Sequence, residues 1–195
     1  MTNSNTSHTH KLLLTTLTIL FLTGFSAALD GNVNSISATD NTAGVSTDYD
    51  FTVDYSATGS SLTSGDTITV TFPDGYDLST VTDGDITSSD FAIQSTDLSG
   101  ADGSGTETVG ITVDESVSSQ VSFNIASVSN PESSTDYTVN VDDNQNDGTG
   151  SDTISIAPAS HEGYLVEPAS TTQTAGSSFN VDIKAVDQYN NIVTD

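Results

Sequence analysis

The strongest constraint on this chain is an alternation of period two. In "DYDFTVDY", Tyr49, Phe51, Val53 and Tyr55 fall on one side and Asp48, Asp50, Thr52 and Asp54 on the other. "DTITVTFP" repeats the pattern with Ile68, Val70 and Phe72 against Thr67, Thr69 and Thr71. Val109, Ile111 and Val113 continue it, as do Val121, Phe123 and Ile125, then Tyr137, Val139 and Val141, then Ile154 and Ile156. A strand places successive side chains on opposite faces, so β-branched and aromatic residues at every second position mark strands with one buried face. "VNSIS" near the start and "DFAIQS" around Phe91 bring the expectation to about eight strands. No stretch between 33 and 157 carries a helical period. Between the runs lie "SLTSGD", "PDGY", "TDGD", "SGADGSG", "SNPES" and "DNQNDGTGS", which are turn chemistry. Short strands separated by such turns predict an all-β, Ig-like sandwich.

Composition alone points the other way. Apolar residues are 33% of the chain, and 27 Asp and Glu face 2 Lys and Arg, for a net charge of -25. Low hydrophobicity with high charge is a signature of disorder. The ordered placement of the apolar residues overrides it. The core is nevertheless modest, so folding should depend on screening the self-repulsion of the acids.

The chain opens with a targeting layout: Lys11, the apolar run "LLLTTLTILFLTGF", then small residues at Ser26 and Ala28. We read residues 1–28 as a Sec-type signal peptide cleaved after Ala28. The alternative is an uncleaved anchor, but the run is short and Thr-rich for a membrane span of about 20 residues. Arg and Cys are absent, which excludes a twin-arginine signal, a lipobox and any disulfide. Without the signal, Lys184 is the only Lys or Arg left against all 27 acids. Binding phosphates needs Lys and Arg, so nucleic acid and anionic lipid are excluded as partners. The mature chain also lacks an Asn-x-Ser/Thr acceptor, since Asn5-Thr6-Ser7 lies inside the signal.

Such an Asp-rich, Lys-poor chain resembles the secreted proteins of halophilic archaea. The alternative is an acidic bacterial surface protein that neutralises carboxylates with calcium. The stretch "TAGVSTDYDFTVDYSATGSSLTSGDTITVTFPDGYDLSTV" resembles repeats of archaeal and bacterial surface-layer and adhesin-like proteins. That likeness implies architecture and an extracellular location, and no activity. After a linker at 158–161, "GYLVEP" and "AGSSFNVDIKAVD" read as two strands, with Phe179, Val181, Ile183 and Ala185 on one face, and "QYNN" as a turn. Ala175-Gly176 followed by Phe179, Val181, Ile183, Ala185, Asp187 and Asn191 is similar to the second strand and turn of bacterial Ig-like domains of the invasin and filamin type. The resemblance implies that Asp187 and Asn191 sit at the strand-turn junction and that further strands follow. The domain reading is therefore a sandwich at 31–157 and a truncated Ig-like module at 162–195. A fragment of a longer protein, a broken gene, or a tail that pairs with another chain would each account for the truncation.

Few residues invite chemistry. His161 is the only histidine after the signal, which leaves a catalytic triad or a zinc site without ligands. Paired carboxylates could hydrolyse glycosides, but these acids fall mostly on outward positions and turns. We expect no enzyme. Calcium is the stronger candidate, because "DDNQNDGTGSD" gathers the hard oxygens of Asp142, Asp143, Asn144, Asn146, Asp147 and Asp152. It fails as an EF-hand, with Gln145 and Ile154 at positions that need ligands. The bland alternative is a hairpin loop solvated by its own acids. Asp83, Asp85 and Asp90, or the Asp187/Asn191 turn, are lesser calcium candidates. The leading function is a structural or adhesion module of the cell surface that contacts other envelope proteins, surface glycans and solvent cations. The alternative is a carbohydrate-binding accessory module of a secreted hydrolase, for which Tyr76, Tyr164 and Tyr189 are the aromatic platforms outside the strand cores.

Overall fold

The computed structural model describes residues 32–56, 61–144 and 150–194. The chain is all-β, an Ig-like antiparallel sandwich followed by a two-stranded sheet. Among the described residues nine strands make the sandwich: β1 (Asn32–Ala38), β2 (Ser46–Asp54), β3 (Thr67–Phe72), β4 (Ile86–Ser88), β5 (Ile93–Gly100), β6 (Glu107–Val113), β7 (Gln120–Ser129), β8 (Asp136–Asp143) and β9 (Gly150–Ser155). One sheet has the order β1-β2-β7-β4 and the other β5-β6-β3-β8-β9. The alternating residues line both inner faces, and aromatic rings meet between the sheets: Phe72 meets Tyr49 edge-on at 5.4 Å and Phe51 edge-on at 6.2 Å. Within one sheet, Phe51 stacks on its cross-strand partner Phe123 at 4.8 Å. Such pairs add to the hydrophobic gain of burial.

Three features depart from the sequence expectation. The "TDGD" turn leads into a short strand of its own, β4. Phe91 precedes its strand and is buried in the core from a loop. β7 also runs on to Ser129 through a β-bulge. Thr47 faces Val128 but Tyr49 faces Ile125, so β7 holds one extra residue, and Ser127 takes φ 64°. The bulge breaks the period and turns Val128 inward, which hid the strand's second half from a strict alternation.

Acids satisfy edge groups at two places. Asp152 points inward from edge strand β9, and its carboxylate accepts the Ile36 N–H of edge strand β1 at 3.0 Å. Past the short β4, Asp90 accepts the Ser122 N–H at 2.7 Å, and the Ser88 hydroxyl donates to the Ser122 carbonyl at 2.8 Å. Edge groups satisfied in this way are poor templates for another chain.

Beyond the sandwich, β10 (Gly163–Pro168) and β11 (Val181–Val186) pair antiparallel, with Tyr164 opposite Ala185, Val166 opposite Ile183 and Pro168 opposite Val181. Among the described residues no helix is long and apolar enough to cross a membrane.

Candidate functional site

The turn after β11 joins the two modules. Asn190 adopts φ 68°, and its N–H donates to the Asp187 carbonyl, which folds residues 187–191 into a tight loop. The Asp187 carboxylate, 2% exposed, fills that loop. One oxygen accepts the N–H groups of Tyr189 (2.9 Å) and Asn191 (2.8 Å). The other accepts the Asn191 side-chain amide (2.8 Å) and the N–H of Ala159 in the linker (2.8 Å). Asn191 then grips the β7–β8 loop of the sandwich: its amide donates to the Glu132 carbonyl (2.7 Å), and its oxygen accepts the Ser134 N–H (2.9 Å). Tyr189 lies against Gly44, whose φ of +68° and missing side chain make room for the phenol. Burial opposes ionisation of Asp187, but the hydrogen bonds from the Asn191 amide and the three backbone N–H groups outweigh it. They hold the carboxyl below its usual range. With four donors on its two oxygens, this carboxylate is a junction pin, and a cation there would have to displace those bonds.

The proposed calcium residues are spread out. Asp142 and Asp143 are consecutive on β8, the first exposed and the second buried, so they face opposite sides of the sheet. Asn144 is spent on β3, where its side-chain oxygen accepts the Thr67 N–H at 3.0 Å. Asp152 closes the edge to β1. It pairs with Val139, four residues before Asp143, which separates the two levels by about 13 Å along the strand. Asn146 and Asp147 lie outside the described residues. Among the lesser candidates, Asp85 accepts from the Thr82 N–H and hydroxyl (2.9 and 2.6 Å), Asp83 accepts from the Thr96 hydroxyl, and Asp90 holds Ser122. Among the described residues, no three acidic or histidine side chains converge as a metal group.

The aromatic platforms also change. Tyr76 is 2% exposed. It packs at 5.1 Å from Phe72, and its hydroxyl lies 3.3 Å from that of Tyr49, which donates to Asn130 at 2.6 Å. It therefore belongs to the core, because a long-range polar knot buries a tyrosine that sits locally in a turn. Tyr189 lines a cleft of about 430 Å³ at the module junction together with Tyr137, Asp74, Asp77 and Glu132. Tyr164 is exposed and lies near His161.

Tyr164 also belongs to a wider surface. The register of β10 and β11 puts Tyr164, Val166, Val181 and Ile183 on one face of the two-stranded sheet, and Phe179 lies two residues before β11. All five are exposed. The opposite face carries Leu165, Asp182 and the Lys184–Glu167 ion pair at 3.2 Å. These exposed apolar side chains form a face free of charge in an otherwise acidic chain.

A further residue escaped the sequence reading. Glu107 stands in phase with Val109, Ile111 and Val113, so its side chain enters the sandwich. Extending that alternation back by one step would have found it.

No family model and no curated protein matches this chain. Among solved structures it is similar to the crystal structure of BslA, a bacterial hydrophobin, at 14% identity and a TM-score of 0.42, over 64% of this chain and 95% of that one.

Proposed function

We propose that the chain is a non-enzymatic structural or adhesion module of a cell surface in a salty medium, exported by its N-terminal signal. In this reading it is the N-terminal part of a longer protein of stacked β modules. The observation that carries the reading is the pinned junction. Asp187 and Asn191 tie the second module to the linker and to the β7–β8 loop by direct hydrogen bonds, as a spacer that transmits a fixed geometry requires. The open apolar face of β10–β11 supports the reading too, because two strands bury too little to stand alone in water. Val193 already donates to the Ala185 carbonyl beside β11, where further strands would extend this sheet and a second sheet would pack on its apolar face. The acid-covered exterior suits a medium rich in cations. The test is the intact mass of the native protein from envelope and medium. A large envelope polypeptide carrying these peptides is expected, and a free species of residues 29–195 in the medium would sink the proposal.

The junction cleft favours a second reading, a carbohydrate-binding module, because half-buried Tyr137 and Tyr189 stand there among carboxylates. Glycan-array binding that disappears in Tyr189→Ala would raise it above the first.

A further inference from the structure

Between residues 32 and 157 there is no Lys, Arg or His. The sandwich nevertheless buries one carboxylate completely. Glu107 is 0% exposed, and neither of its oxygens has a hydrogen-bond partner. The comparison with Asp66 is instructive: that buried carboxylate accepts both the N–H and the hydroxyl of Thr63. Glu107 opens β6 opposite Phe72, at the end of the core where Phe72 packs on Tyr49 and Tyr76. The loop at 101–106 leads directly into it and folds over Asp77 and Ser79. A side chain at Gly103 would come within 2.9 Å of the Asp77 carboxylate.

A buried charge without a partner is strongly unfavourable, and such groups are normally paired or bound to a metal. The sandwich can supply no cationic side chain, so the compensating charge must come from solvent. A proton would neutralise the group but leave its O–H without an acceptor and its second oxygen without a donor. A hard cation satisfies both oxygens at once, in the bidentate mode a glutamate offers calcium, with backbone carbonyls and water completing the shell. We propose that Glu107 anchors a buried site for a hard, oxygen-seeking cation at the start of β6, opposite Phe72. The proposal is independent of the surface role argued above.

The test is thermal unfolding of the whole chain in choline chloride, with sodium or calcium chloride substituted at constant ionic strength. Choline screens surface charge but is too bulky for a buried site. Wild type should gain stability saturably with a small cation, by on the order of 10 °C in Tm at a hundredfold excess over Kd. The sodium and calcium arms identify the ion. Glu107→Gln should lose the saturable part, and equilibrium dialysis should count one fewer bound ion per chain. Glu107→Met, which removes the uncompensated charge, should fold and be equally indifferent, and it serves if the glutamine variant does not fold. Equal cation responses in wild type and variants, or no response beyond that in choline, would overturn the proposal.

Discussion

Replacing Asp187 by Ala removes one carboxylate and strands four donors, the N–H groups of Ala159, Tyr189 and Asn191 and the side-chain amide of Asn191. A hydrogen bond to a charged acceptor contributes about 1.5–3 kcal/mol. The four share one acceptor and part of the junction is wet, so they do not add in full. We expect a loss of about 3–5 kcal/mol, confined to the turn and the docking of the second module. At the lower bound, the docked state opens roughly 150-fold more often, at about 1.4 kcal/mol per tenfold. Amide hydrogen exchange reads this directly: β10, β11 and the turn lose protection by that factor, while β2, β3, β6 and β7 keep theirs. Unchanged protection in β10–β11 would refute the pin, and an equal loss across the sandwich would refute its confinement to the junction. Acid should act in the same way. The folded carboxyl is held below its ordinary value of 3.8. Its contribution is therefore fully present above that pH and is lost as pH falls through the depressed folded-state value.

Other consequences can be measured on the same chain. Gly44→Ala places a side chain at φ +68° and against the Tyr189 ring, so it should cost about 1–2 kcal/mol from the backbone alone and accelerate exchange at residues 187–193. Tyr49→Phe leaves the Asn130 oxygen without its 2.6 Å donor in the core and should lower the urea midpoint by the equivalent of about 1–3 kcal/mol. Burial holds the phenols of Tyr49 and Tyr55 well above the usual range and pushes Tyr76 up to about 12. Their stabilising share is thus complete below pH 10 and is lost as pH rises through those values. The phenolate absorbance of these three should appear together with the loss of circular dichroism, and ionisation in an intact fold would contradict their burial.

Much of the sandwich was legible because the period of a strand is a local property. Tyr49, Phe51, Val53 and Tyr55 are buried, as are Ile68, Val70 and Phe72, and the acids between them face out. The reading failed where phase or locality failed. The bulge at Ser127 shifts the alternation by one residue. Three residues, Ile86–Ser88, are too few to show any alternation. Tyr76 lies between Gly75 and Asp77, a setting that locally says turn and exposure. Rings from distant strands, Tyr49 and Tyr137, 27 and 61 residues away in sequence, help make it core.

The same division holds for function. The sequence by itself determined the strand class and the excess of acids over bases, since each follows from residue types and their spacing. It also set Asp187 and Asn191 at the end of a strand. Tertiary structure alone decided what those residues hold. The donors and acceptors they meet at Glu132, Ser134 and Ala159 come from distant parts of the chain, which only the folded sheets bring within hydrogen-bond distance. It also decided that Glu107 is sealed without a partner, because burial depends on what the neighbouring strand and loop cover and not on the letters beside it.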